Sequence, residues 1–152
     1  MLYYFFNLSF GDEVGQNKKG EAMYSFFELG YYSTISKAKA RISFYKNLPG
    51  FKDHPLDFFK IKKYGVKFKT TVEDKSKVDL FVLGHHYWDE DFFDYVVIFP
   101  PYATEIEAKE KMEKIKDKFP FCDYPEELTI VKHEVDRHVG WEEGFFYADL
   151  ED

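Results

Sequence analysis

Four histidines and the acids around them are the first residues that could do chemistry. His85 and His86 are adjacent, and His133 and His138 flank Glu134 and Asp136. Imidazole with carboxylate suits zinc or iron. Neighbours on a strand point to opposite faces, so His85 and His86 cannot share one ion. A site would need one of them to stand beside His133 across a sheet. A small-ligand- or metal-dependent enzyme centred on His85, His86, His133 and Glu134 is therefore one reading. No spacing requires it, so no metal and no cofactor is assigned. Carboxylates come in runs at Asp89-Glu90-Asp91, Glu126-Glu127 and Glu142-Glu143. Glycan hydrolysis needs two carboxyls at a fixed separation in a cleft. Short acidic runs on loops are ordinarily solvated, and no catalytic residue is named. Gly11, Gly15 and Gly20 have the wrong spacing for a phosphate loop, and no nucleophile elbow, HExxH or CxxC is present.

Two further features suit binding. Trp88 precedes Asp89, Glu90 and Asp91, and Trp141 precedes Glu142, Glu143, Gly144 and Phe145. Tryptophan anchors interfaces, and acids beside it steer a basic partner. The plainer role for Trp141 and Phe145 is to lock a tail onto the core. Residues 60–69 alternate lysines with apolar residues, which reads as an outer strand protected by charge. Cys122 stands alone and reads as a buried or incidental thiol. His54 reads as a turn residue.

The elements that must position these groups come from an internal match. Residues 32–55 and 102–125 align without a gap, 70 residues apart. The identities are Tyr32/Tyr102, Thr34/Thr104, Ala38/Ala108, Lys39/Lys109, Lys46/Lys116, Phe51/Phe121, Asp53/Asp123 and Pro55/Pro125, with Lys62/Lys132 beyond them. Thr34 and Thr104 are expected helix N-caps, and Glu107 completes a capping box that Lys37 denies the first helix. Ala38/Ala108, Ile42/Met112 and Tyr45/Ile115 follow the helical period and mark the buried stripe. Phe-x-Asp-x-Pro after each helix predicts a turn, with the Asp side chain bonded to nearby backbone N–H groups. In order, the pattern predicts strands over 2–10 and 23–29, a helix over 34–48, a strand over 57–68 and a linker over 69–77. Strands over 78–88 and 92–99, a helix over 104–118 and a strand over 128–136 follow, with a tail that adds a short strand at 145–147.

The fold class is thus α+β: two tandem β-β-α-β pseudo-repeats (1–68 and 78–152), with a mostly antiparallel sheet and helices on one face. Each unit alone is too small for an independent core, so the two are expected to share a core or a continuous sheet.

The first copy carries Tyr32, Ser33, Ala38 and Pro49-Gly50-Phe51-x-Asp53-x-Pro55; the second carries Tyr102, Ala108, Phe121-x-Asp123-x-Pro125 and Trp141-Glu142-Glu143-Gly144-Phe145. This resembles a small bacterial α+β domain family with the pattern Y-S-x4-A, P-G-F-x-D-x-P and W-x-E-G-F. The first copy departs from it by lacking the Trp tail, the second by having Phe119-Pro120-Phe121 for Pro-Gly-Phe. The family has no established activity, so the resemblance implies a fold and no chemistry.

Composition bounds the rest. Aromatics make up 21% of the chain, which favours sheets. The formal net charge of −7 argues against nucleic acid and anionic membrane surfaces and suits a basic protein partner. No signal peptide or transmembrane run is evident, so the cytoplasm is the expected location. The sequence therefore points to a non-catalytic protein-binding module of bacterial type. Its concrete form is an acidic inhibitor or immunity-type protein that neutralises a basic toxin or nuclease through Trp88, Asp89, Glu90, Asp91, Trp141, Glu142 and Glu143. The His-centred enzyme is the rival from another class, and a homodimeric structural protein pairing through an aromatic strand is the third.

Overall fold

A computed structural model describes residues 1–16, 22–88, 94–137 and 140–145. Among the described residues, six strands and two α-helices run β1 (Leu2–Gln16), β2 (Ala22–Tyr32), α1 (Ile35–Tyr45), β3 (Phe59–Lys67), β4 (Asp79–Trp88), β5 (Asp94–Ile98), α2 (Glu105–Ile115) and β6 (Leu128–Glu134). The order β-β-α-β therefore occurs twice. A single sheet with both helices on one face is not what forms. There are two antiparallel three-stranded sheets, ordered β2-β1-β3 and β5-β4-β6. Helix α1 packs on β1, β2 and β3, and α2 packs on β4 and β6. The reason is that each first strand is apolar on both faces, so each sheet must be covered twice.

Alternation along β1 shows this. Leu8 and Phe10 face α1 and join Tyr45, Phe51 and Phe59 in one buried cluster. Phe5 faces the other way and joins Tyr31, Val66, Leu80, Val82 and Val135, which come from both sheets. Leu83 of β4 packs with Ile115 of α2 and Leu128 of β6 in a third cluster. The layers thus run helix, sheet, sheet, helix, with apolar side chains filling each of the three seams. In β2 the alternation is reset by a bulge. Leu29 and Gly30 fall between the pairs Asn7↔Tyr31 and Ser9↔Glu28, and Gly30 has φ 108°, a conformation that favours glycine. The extra residue turns Tyr31 into the seam between the sheets, while Leu29 and Tyr32 stay under α1.

Both helices start as their sequences predict. Thr34 and Thr104 are N-caps with φ/ψ of −137°/154° and −133°/151°, and each Oγ1 accepts from the backbone N–H three residues on. Each helix ends at residue 45 or 115, short of the predicted 48 and 118, because a tight turn follows. That turn is closed by backbone bonds, Lys52 N to Leu48 O and Cys122 N to Lys118 O, and continues as a 3-10 helix at Phe51–Asp53 and Phe121–Asp123. Among the described residues, the Asp53 side chain makes no hydrogen bond, so the backbone closes the first turn without the predicted aspartate cap.

The gapless match ends here. The next 3-10 turn is Leu56–Phe58 in the first half and Pro125–Glu127 in the second, a separation of 69. Pro55 precedes its turn, whereas Pro125 begins one. Phe59 consequently corresponds to Leu128 and Ile61 to Ile130, with the same succession of buried and exposed positions. A one-residue slip moves a side chain to the other face of a strand. The identical pair Lys62/Lys132 therefore occupies opposite faces, opposite Asn7 in one sheet and Phe81 in the other.

Among the described residues no helix is long and apolar enough to cross a membrane.

Candidate functional site

After β6 the chain does not stay with its own sheet. Val135 is buried between the sheets, and Asp136 turns with φ 63°. Its backbone N–H donates to Tyr31 O at 2.9 Å. Its carboxylate accepts from the Ser33 N–H (2.8 Å), the Ser33 hydroxyl (2.6 Å) and the Lys37 ammonium (2.9 Å). Three donors on a carboxylate that is only 13% exposed justify its left-handed backbone, since charge-assisted bonds are the strong ones. The acid thus binds the start of α1 from 103 positions away.

Residues 140–145 then clasp the first half. The Tyr45 hydroxyl donates to Gly140 O at 2.6 Å. Burial raises the Tyr45 phenol, against the pull of the Arg41 guanidinium, so the hydroxyl keeps the proton it donates. Arg41 pairs with Glu142 at 3.2 Å. Phe145 N–H donates to Pro49 O at 2.8 Å, and the Phe145 ring enters the aromatic cluster 4.7 Å from Phe27, 4.8 Å from Phe51 and 5.8 Å from Phe10. Two glycines let the backbones touch. A Cβ on Gly50 (φ 83°) would lie 2.2 Å from Phe145 O, and one on Gly144 (φ 79°) would lie 2.3 Å from Pro49 O. The Trp-x-Glu-Gly-Phe tail, which follows the strands of the second half, is therefore packed onto the first.

The clasp leaves Trp141 displayed. Its ring lies 4.3 Å from Phe27 at 31°, its backbone has φ 62°, and it remains 41% exposed. A non-glycine residue with positive φ stores strain, which tertiary contacts must hold in place. Gly144 N–H closes the turn onto Trp141 O at 3.0 Å. Glu142 and Glu143 are both exposed beside it, Glu142 while paired with Arg41. Trp141, Glu142 and Glu143 are thus brought together on a fixed turn. Trp88 is the last residue of β4, paired with Asp94, and Asp89, Glu90 and Asp91 lie outside the described residues.

The histidines are not brought together. His85 is buried among Tyr87 and Phe121 on the α2 side, with Nε2 2.9 Å from Tyr124 O. His86 is exposed on the opposite face. His133 pairs in register with Leu80 and rests 5.1 Å from Tyr31 in the seam between sheets, whereas His85 pairs with Leu128. Five strand positions separate the two, roughly 16 Å at the usual rise. Glu134 pairs with Arg137 at 3.7 Å, and His138 lies outside the described residues. Among the described residues no group of three or more metal-ligating side chains converges. His54 stacks on Phe58 at 5.3 Å, as a turn residue covering the core. Cys122 is exposed, not buried.

Sequence reasoning missed one buried polar pair. Asn7 is 5% exposed, and its amide donates to Glu28 Oε2 at 2.7 Å and Gly30 O at 3.3 Å. Burial pushes the Glu28 carboxyl up to about 6, with the Asn7 amide pulling the other way. Burial and Glu28 together push the Tyr31 phenol above its ordinary range. The available signal was Asn7, with Ser9, interrupting the apolar run over residues 2–10. Arg41, Tyr45 and Asp136, which hold the clasp, gave no local signal.

Comparison of the chain with protein-family models, with curated proteins and with solved structures finds no match.

Proposed function

We propose that this chain is a non-catalytic protein-binding module, an acidic inhibitor or immunity-type protein of bacterial cytoplasm that neutralises a basic partner. The observation that carries the reading is Trp141, 41% exposed on a strained backbone, backed by Phe27, and flanked by the carboxylates of Glu142 and Glu143. A rigid aromatic presented without conformational freedom loses little entropy on binding, and that is what an interface anchor needs. The formal net charge of −7 supports a basic partner by steering it toward the surface. Trp88 with Asp89, Glu90 and Asp91 would form a second acidic contact.

We also propose that the two halves are tandem copies of one β-β-α-β unit. What supports this is the pair of helices at a separation of 70, their matching Thr caps and the matching strand orders.

The binding reading is tested by capture from host lysate at low and high salt, with wild type beside Trp141→Ala and Glu143→Lys. A stoichiometric basic protein held by wild type, released by salt and lost from both variants is expected. Equal capture by all three proteins, or capture indifferent to salt, sinks the reading.

A further inference from the structure

Charge is unevenly distributed along this acidic chain. Residues 60–77 hold seven lysines against two carboxylates, Glu73 and Asp74. Four of the lysines, Lys60, Lys62, Lys63 and Lys67, stand exposed along β3. That strand lies at the edge of its sheet: it pairs with β1, and among the described residues no strand meets its other side. Register sorts the lysines by face. Lys60 and Lys62 stand opposite Ser9 and Asn7, on the side of the seam between sheets; Lys63 and Lys67 stand opposite Phe6 and Leu2, on the side of α1. Two are held by rings, Lys63 Nζ 4.3 Å from the Tyr4 centroid and Lys62 Nζ 5.1 Å from that of Tyr64.

This distribution selects among anionic ligands. A phosphate backbone crossing a sheet needs its cations on one face. Cations on both faces of an edge strand converge instead on something lying in the plane of the sheet, beside the strand. An extended peptide has that shape. Its main chain takes the outward N–H and C=O groups, and its side chains project alternately up and down toward the two pairs of lysines. Lysines on an edge repel basic strands and lose hydration beneath neutral ones, so the same residues that prevent promiscuous pairing admit an acidic one. The corresponding strand β6 carries Lys132 with Glu134 and has no such stripe.

We propose that the open edge of β3 docks an extended acidic polypeptide segment as a fourth strand. The surface is separate from Trp141 and takes a ligand of opposite charge.

The probe is a fluorescein-labelled synthetic peptide of Glu, Thr and Val, with consecutive glutamates so that both faces carry acid. Fluorescence anisotropy against wild type should show salt-sensitive binding, weakened about tenfold or more in the Lys60→Gln/Lys62→Gln/Lys63→Gln variant. N-methylation of alternate peptide residues, which removes main-chain donors, should abolish it. Amide exchange on wild type should slow within residues 59–67 and not within 128–134. No binding, equal binding by the variant, indifference to N-methylation, or displacement of the peptide by oligo-dT at lower concentration would overturn the proposal, the last by making the edge a nucleic-acid surface. If the variant fails to fold, the N-methylated peptide and the exchange pattern on wild type still decide.

Discussion

The two halves run through the same elements and are completed differently. At the third position of each helix the first half has Lys37 and the second Glu107. The Glu107 carboxylate stays local, accepting from the Thr104 hydroxyl at 2.9 Å. Lys37 reaches Asp136, beyond β6. Where the first half has Gly50, against which the tail lies, the second has Pro120. Where the first half buries Phe10 against Phe51 at 5.0 Å, the second buries His85 against Phe121 at 5.1 Å and ties it to Tyr124 O. In the seam between the sheets the first half sets Asn7 and Glu28; the same register positions hold Val82 and Ile98 in the second. The comparison teaches that the second half closes its own helix start, while the first depends on a tail from elsewhere in the chain.

The largest break in that comparison should come from Phe145→Ala. Emptying a ring slot among Phe10, Phe27 and Phe51 should cost about 3–5 kcal/mol, read by urea unfolding, with Trp141 emission shifting to the red as the turn loosens. A loss under about 1 kcal/mol would show that the first half is complete without the tail.

The seam is sharpened by pH. The Glu28 carboxyl sits at about 6 when folded, against 4.5 for the free side chain, so the folded state holds the proton more tightly. Its contribution is fully present below 4.5 and is lost as pH rises through 6, a swing on the order of 2 kcal/mol. Glu28→Gln should therefore stabilise the protein by about 1–2 kcal/mol near pH 8 and leave it unchanged near pH 4. Equal effects at both would place the ionised carboxylate at no cost in the fold.

The smallest effect belongs to the caps. Lys37→Glu makes the first helix start like the second but sets a carboxylate beside Asp136; with Lys37 half-exposed, about 1 kcal/mol should be lost. Glu107→Lys should cost about half as much, because only the local bond at its own cap goes. Equal thermal shifts for the two would erase the asymmetry.

What was legible in the sequence was local. Thr34 and Thr104 announced their helices because a cap is a short-range signal, and both bond as expected. The lysines of β3 announced an edge strand, and it is one. The change of separation from 70 to 69 was hidden, because Pro55 and Pro125 match in type while taking different places in their turns. Whether the halves form one sheet or two was not legible, because a strand apolar on both faces does not say what covers each. Trp141 with its two glutamates was visible as a cluster. That it is pinned by Tyr45 and Arg41 was not, since those bonds span about a hundred residues and leave no periodic trace.

The tail also sets an order of events on the ribosome. Sheet β2-β1-β3 and α1 have all been synthesised by Lys67, but the ring that fills their aromatic cluster arrives with Phe145. Until then the nascent N-terminal half carries an open apolar slot lined by Phe27 and Phe51, a surface that chaperones hold and that aggregation exploits. Contacts between residues so far apart also slow folding, since their loop must close before they contribute. Translation therefore supplies the last ring of the first half only after the strands of the second.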